Sequence, residues 1–371
     1  MTTSKQCGAY LIHLLRCALN DQTPDPKPDA VTWDALLSLA GQHSVANIAC
    51  YSIEKLQEQP PADLMHRWQE IKNKAVVKDI TQRAEYKKIA DTFEKAQLRM
   101  LPLKGVRLKN LYPKPDMRLM SDLDILIDEQ SNDAAKQLML QMGYAFEGSA
   151  SACHDNYHKL PVMSIEIHHR LFVEQYEKLC EYASGTLARA ELTEGYHFVY
   201  QMTDEELYIF FFMHLHKHMS NAGSGIRSVM DCYLLNQDLW GKIDQDYVRQ
   251  MLTELELWEF AEQMRALAQV WFAGGESNAQ MDALAEWIFS SGTYGTLSHC
   301  IAKQVKQDGR IKFILKKIFP SMKNMKYQYP MLHNAPILLP YCWINRLFVM
   351  ALKKRRHTFR TLRLVFQKRE R

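Results

Sequence analysis

None of the eight cysteines pairs with another at C-x-x-C spacing. Cys7, Cys17, Cys50, Cys153, Cys180, Cys232, Cys300 and Cys342 are scattered, which argues against a zinc knuckle or a disulfide scaffold and suits a reducing compartment. No internal repeat or low-complexity block breaks the chain. No RNP, KH or zinc-finger signature accompanies its charge, so nucleic-acid recognition is the less favoured reading. Residues 337–350 are apolar, but Pro340, Asn345 and Arg346 make them too short and too polar to span a bilayer. The first twenty residues lack a signal-peptide core, because His13 and Arg16 interrupt the apolar run. The expectation is a cytoplasmic protein.

The chain has 371 residues, an ordinary hydrophobic fraction of 47% and a net charge of only +4. That length accommodates two or three domains with real cores. The charge is unevenly spread. Residues 301–371 hold 18 Lys/Arg against 2 Asp/Glu, a net of +16 that leaves −12 for the first 300. Within that block Phe348, Leu352, Phe359, Leu362 and Phe366 form a helical stripe surrounded by Lys and Arg. The pattern predicts a basic amphipathic helix over 347–367 that docks on an anionic membrane surface. Packing against the acidic part of the chain is the plainer alternative.

The strongest chemical signal is Asp122-Leu123-Asp124-Ile125-Leu126-Ile127. On a strand, side chains alternate, so Asp122 and Asp124 share one face and Leu123, Ile125 and Ile127 the other. Two carboxylates held side by side repel unless a cation sits between them. Hard oxygen ligands suit Mg²⁺ or Mn²⁺. A second D-x-D, Asp244-Gln245-Asp246, lies in polar surroundings and reads as a helix cap. A third acid follows in Val162-Met163-Ser164-Ile165-Glu166-Ile167-His168, where Glu166 and His168 alternate with Ile165 and Ile167. Two-metal transfer to phosphate uses three acids, the third able to draw a proton from the attacking group. Glu166 is the candidate, and His168 is placed to contact phosphate or substrate.

Arg118, four residues before the acids, either holds a phosphate oxygen or forms an ion pair with a nearby carboxylate. His214 and His218 share a helix face at i,i+4 spacing, and with Asp231 they offer a metal-hydrolase alternative, although H-E-x-x-H is absent. Arg227 and Asp231 have the same spacing and are candidates for a local pair.

Taken in order, Leu103-Lys104-Gly105, Tyr112-Pro113, Arg118, Asp122-x-Asp124, Gly143-Tyr144, Glu166-x-His168, Leu215-His216, His218 and Arg227-Ser228-Val229-Met230-Asp231 resemble a family of uncharacterised bacterial nucleotidyltransferases in the polymerase-β-like superfamily. The resemblance covers about residues 85–235. It implies NTP as substrate, Mg²⁺ or Mn²⁺ as cofactor, and transfer of a nucleoside monophosphate to an acceptor that the sequence does not identify. Asp122, Asp124 and Glu166 would be catalytic and metal-binding; Lys104, Gly105 and Arg118 would hold phosphates. His168, His214, His218 and Arg227 would face the substrate. The superfamily usually has Gly-Ser where this chain has Lys104-Gly105, so a point charge takes the place of a hydroxyl. Two rivals stand beside this reading: a nucleotide- or partner-binding module that lost transfer, and the His214/His218/Asp231 phosphohydrolase.

The implied fold is α+β, a small mixed β-sheet core between helical regions. The expected division is an N-terminal helical region at 1–98, a nucleotidyltransferase core at 99–175, a helical acceptor-side domain at 176–300 and the basic segment at 301–371. Helices are expected at 5–20, 31–57, 62–97 (one or two), 106–111 and 129–142. Strands are expected at 100–103, at the D-x-D, after Gly143, and as a hairpin over 154–171.

Overall fold

The computed structural model describes residues 3–151, 153–173, 175–221, 223–292, 305, 309–322, 325 and 329–352. The chain divides into two compact units, one of residues 1–219 with 224–293, the other of residues 220–223 with 294–371. In the first unit, α1 (Thr3–Leu19), α2 (Trp33–Gln42), α3 (Ala46–Ile53) and α4 (Ala62–Lys95) precede the strands. The middle holds β1 (Met100–Pro102), α5 (Lys104–Lys109), β2 (Leu123–Ile127), α6 (Asn132–Gln141), β3 (Ala145–Ser151), β4 (His154–Lys159) and β5 (Met163–His168). After α7 (Glu177–Ser184) and α8 (Thr186–Arg189), a ribbon of β6 (Glu191–Leu192) and β7 (Tyr200–Gln201) precedes α9 (Asp204–Asn221), α10 (Ile226–Leu239), α11 (Gln245–Glu254), α12 (Trp258–Ala273) and α13 (Ala279–Ser291).

The five-stranded sheet has the order β1-β2-β5-β4-β3. Its inner pair, β2 and β5, is parallel; the other pairs are antiparallel. A parallel pair needs a long crossover, and α6 with the β3–β4 hairpin supplies it. This is the mixed-sheet α+β architecture that the family resemblance implies.

Alternation on β2 and β5 decides the two faces. Leu123, Ile125, Ile127, Ile165 and Ile167 pack with Ile89, Ala90 and Phe93 of α4 and Ala135 and Met139 of α6. Each fully buried side chain of this size contributes about 1.5–3 kcal/mol. The opposite face carries Asp124, Glu166 and His168. A larger core joins Leu36, Ile48 and Trp68 to Leu101 and Leu126 of the sheet and to Phe212, Val229 and Leu267. Side chains from α2, α3 and α4, from β1 and β2, and from α9 to α12 thus meet in one cluster.

Several boundaries differ from the sequence reading. The helix expected at 31–57 is α2 and α3, broken at Ser44, whose φ is 53°. The stretch 62–97 is the single helix α4. The helix expected at 129–142 begins as a 3₁₀ turn, Glu129–Ser131, and stops at Gly143, where φ is 82° and a side chain would be strained. Asp244 caps α11 by accepting from the Tyr247 amide at 3.0 Å. Two-residue strands such as β6 and β7 are too short to leave a periodic trace.

In the second unit the described helices include Arg310–Ile318 and Leu339–Leu352. The basic helix expected over 347–367 falls mostly on residues 353–371, which lie outside the described residues. No helix among the described residues is long and apolar enough to cross a membrane.

The inner face of α4 is unusual because Asp79, Gln82 and Glu85 are all buried. Asp79 accepts from Lys109 of α5 at 2.7 Å, with both side chains under 5% exposed. Gln82 donates to the Met120 carbonyl at 3.2 Å. Glu85 accepts from the Tyr144 hydroxyl at 2.9 Å and from Lys159 at 3.1 Å. This polar row fastens α4 to both ends of the segment that leads to the acids. Removing one member of a buried pair strands the other. Asp79→Ala is expected to cost about 3–5 kcal/mol in urea unfolding. Arg83, the exposed second partner of Asp79, is expected to cost under about 1 kcal/mol when changed to Ala. Equal costs would contradict this account of Lys109.

Candidate active site

The loop from Asn110 to Ser121 delivers Asp122 to the sheet, and side chains from three helices hold it. From α3, Asn47 donates to the carbonyls of Asp116 and Met117 at 2.8 and 3.1 Å, and the Tyr51 hydroxyl donates to Asp116 at 2.8 Å. From α4 comes Gln82. From α10, Arg227 donates to the Leu119 carbonyl at 2.7 Å. The loop answers with Arg118, whose Nε and Nη2 meet Asp231 Oδ1 and Oδ2 at 2.8 and 2.9 Å. The Tyr112 hydroxyl also donates to Asp231, at 2.7 Å. This pair is about 95% buried.

That geometry bears on three open readings. Arg118 forms an ion pair, with Asp231 as its carboxylate, and its Nη1 donates to the Gly105 carbonyl at 3.3 Å. Arg227 does not pair with Asp231, because Arg118 takes both oxygens. The hydrolase reading loses its acid for the same reason: Asp231 is already occupied by a guanidinium and a phenol.

The acids themselves come together. The parallel register places Asp124 opposite Glu166. Asp122 lies just before β2 rather than within it, and its carboxyl bonds Ser164. Burial, assisted by the charges of Glu166 and Asp124, raises the Asp122 pKa despite that bond. His168 Nε2 is 3.3 Å from Glu166 Oε2 and 3.5 Å from Asp124 Oδ1. Burial works to lower the His168 pKa, but the two carboxylates outweigh it and raise it to about 9. For Asp124 burial is opposed by His168 and Lys104, and the net shift is downward. His154 completes the group, with Nε2 3.6 Å from Glu166 Oε2. Sequence reading passed over His154, although the β4–β5 hairpin pairs it directly with His168.

Facing these acids is a basic wall. Lys104 begins α5, and its ammonium contacts His214 Nδ1 on α9. His214 Nε2 is 3.3 Å from His218 Nε2. If the ammonium donates, His214 accepts at Nδ1 and donates from Nε2 to His218, so both rings are neutral. Burial, with the charge of Lys104, drives the His214 pKa well down and that of His218 to about 4. Burial and the neighbouring Arg118 lower Lys104 to about 7, against the pull of Asp231 and Asp124. At Gly105 a Cβ would stand 2.9 Å from the Met120 sulfur, so that flexible side chain would have to shift.

Crowded carboxylates whose mutual repulsion and burial raise Asp122 fit a hard divalent cation. Sheet, acids and the facing Lys104 together form the candidate site. A model of the uncharacterised nucleotidyltransferase family matches residues 29–273, and the chain belongs to that family. Neither a curated protein nor a solved structure matches it.

A lysine with a folded pKa near 7 has its charged form penalised by folding. The fold is then weakest below about pH 7 and gains stability as pH rises toward 10.5, where the unfolded lysine loses its proton. Lys104→Met should therefore stabilise the protein by about 1–2 kcal/mol near neutral pH, with the gain shrinking by about pH 9. Urea unfolding across that range checks it; a destabilised Lys104→Met would make Lys104 a structural anchor.

Proposed function

We propose that the chain transfers a nucleoside monophosphate from an NTP to an acceptor hydroxyl, amine or phosphate. The observation that carries this reading is the juxtaposition of Asp122, Asp124 and Glu166 across parallel strands β2 and β5, opposite Lys104, in a member of a nucleotidyltransferase family. Asp122, Asp124 and Glu166 would hold Mg²⁺ or Mn²⁺, which when bound neutralises charge on the phosphate oxygens and orients pyrophosphate.

The chain's own residues divide the remaining tasks. Glu166 accepts the acceptor's proton as the acceptor atom bonds to the α-phosphorus and the bond to pyrophosphate breaks. Lys104 offers a point charge to the phosphates. An anion there would restore its full charge, since a negative neighbour favours the ammonium. Arg227 uses Nη1 on the Leu119 carbonyl and forms no ion pair among the described residues, so its other donors serve substrate oxygens. His214 and His218, neutral and hydrogen-bonded in series behind Lys104, position that ammonium and line the acceptor side.

The test uses purified protein, cell extract and each NTP labelled at the α-phosphate, with Mg²⁺ or Mn²⁺. Wild type should label an acceptor. Asp124→Asn removes one charge and little volume, and is expected to lower labelling by at least about a hundredfold while the unfolding curve stays cooperative. Undiminished labelling by Asp124→Asn would overturn the three-acid site. Tight nucleotide binding with no labelling by wild type would leave a binding module.

A further inference from the structure

The acid face carries more nitrogen than a purely oxygen-ligated Mg²⁺ site needs. His154 on β4 and His168 on β5 are direct partners in the antiparallel register, and Glu166 is two residues from His168 on the same face. One ligand atom from each of His154, Glu166 and His168 lies within 4.8 Å of the others. His168 is 8% exposed, and neither of its ring nitrogens makes a hydrogen bond among the described residues. Its Nε2 meets the Glu166 and Asp124 carboxylates at ion-pair rather than hydrogen-bond spacing.

The spacings discriminate between occupants. A direct N–H···O bond would bring nitrogen and oxygen to about 2.7–3.2 Å. Ligands about 2.1 Å from a tetrahedral ion stand about 3.4 Å apart. The observed separations are 3.3 Å for His168 Nε2 to Glu166 Oε2, 3.6 Å for His154 Nε2 to the same oxygen, and 3.5 Å for His168 Nε2 to Asp124 Oδ1. They cluster around the spacing of ligands about a shared ion. The tilted stacking of the two rings, 4.8 Å between centroids, brings both histidines to the same carboxylates.

We propose that His154, Glu166 and His168, with Asp124 alongside, bind a divalent first-row transition ion in preference to Mg²⁺. Imidazole suits zinc, iron and nickel, whereas Mg²⁺ favours oxygen and keeps its water. Sharing Glu166 and Asp124 with the transfer site, this inference deepens the proposed function and selects which metal serves it.

Full-length protein, stripped of metal and without nucleotide, is dialysed against Zn²⁺ or Ni²⁺ in the presence of excess Mg²⁺, and bound metal is counted. Wild type is expected to retain one transition ion per chain. His154→Gln, at a partly buried position, should weaken that binding by about 10–100-fold or more. The X-ray absorption spectrum of the zinc-loaded wild type should show two imidazole ligands, a readout that needs no variant. Displacement by Mg²⁺, unchanged binding in His154→Gln, or a spectrum without imidazole scattering would each overturn the proposal. Histidine-ligated metal without NMP transfer would remove only the transfer reading; transfer in Mg²⁺ without such an ion would remove only this one.

Discussion

Parallel pairing of β2 with β5 sets Asp124 beside Glu166 and brings Asp122 up to Ser164, and like charges so placed repel. The rest of the first unit manages that repulsion. On the apolar side, isoleucines and Leu123 lock both strands against α4 and α6, so the acids cannot splay apart without breaking the core. On the polar side, His168 and Lys104 pull the Asp124 pKa down against its burial. The price is a lysine held near pKa 7 and an imidazole pushed toward 9, both shifts that belong to functional sites more often than to ordinary surfaces.

A second layer of charge holds the approach. Arg118 and Asp231 are buried, bidentate and supported by Tyr112, so the loop before Asp122 has one position relative to α10. Buried pairs often add little net stability, since desolvation offsets attraction. Their strength is geometric: the guanidinium fork fixes direction as well as distance. Here that direction also reaches the Gly105 carbonyl, coupling the start of α5 to the loop that carries the acids. The polar row of α4 repeats the device from the other side through Lys109 and the Met120 carbonyl.

The parts legible in sequence are those governed by short-range periodicity. Alternation around Asp124 and around Glu166 predicted both strands and their faces, and the Gly143 stop and Asp244 cap follow from local backbone chemistry. Sequence reading could not assign Arg118, because its choice between phosphate and Asp231 depends on a residue 113 positions away. His154 was missed because its significance comes from a hairpin register, not from its neighbours in the chain. The same is true of buried Asp79, Gln82 and Glu85, whose partners lie far along the chain on α5, the loop and the sheet. The larger core likewise draws on α2, the sheet and α9 to α12 together, contacts that no local pattern announces.

The central claim is that the facing acids and cations act on the α-phosphate of a nucleotide. The most direct measurement compares NTP labelled at the α-phosphate with NTP labelled at the γ-phosphate in parallel reactions with wild-type protein and Mg²⁺ or Mn²⁺. The account predicts that the α label stays with the acceptor and that the γ label leaves as pyrophosphate. Transfer of the γ label to the acceptor, or its release as orthophosphate, would contradict it.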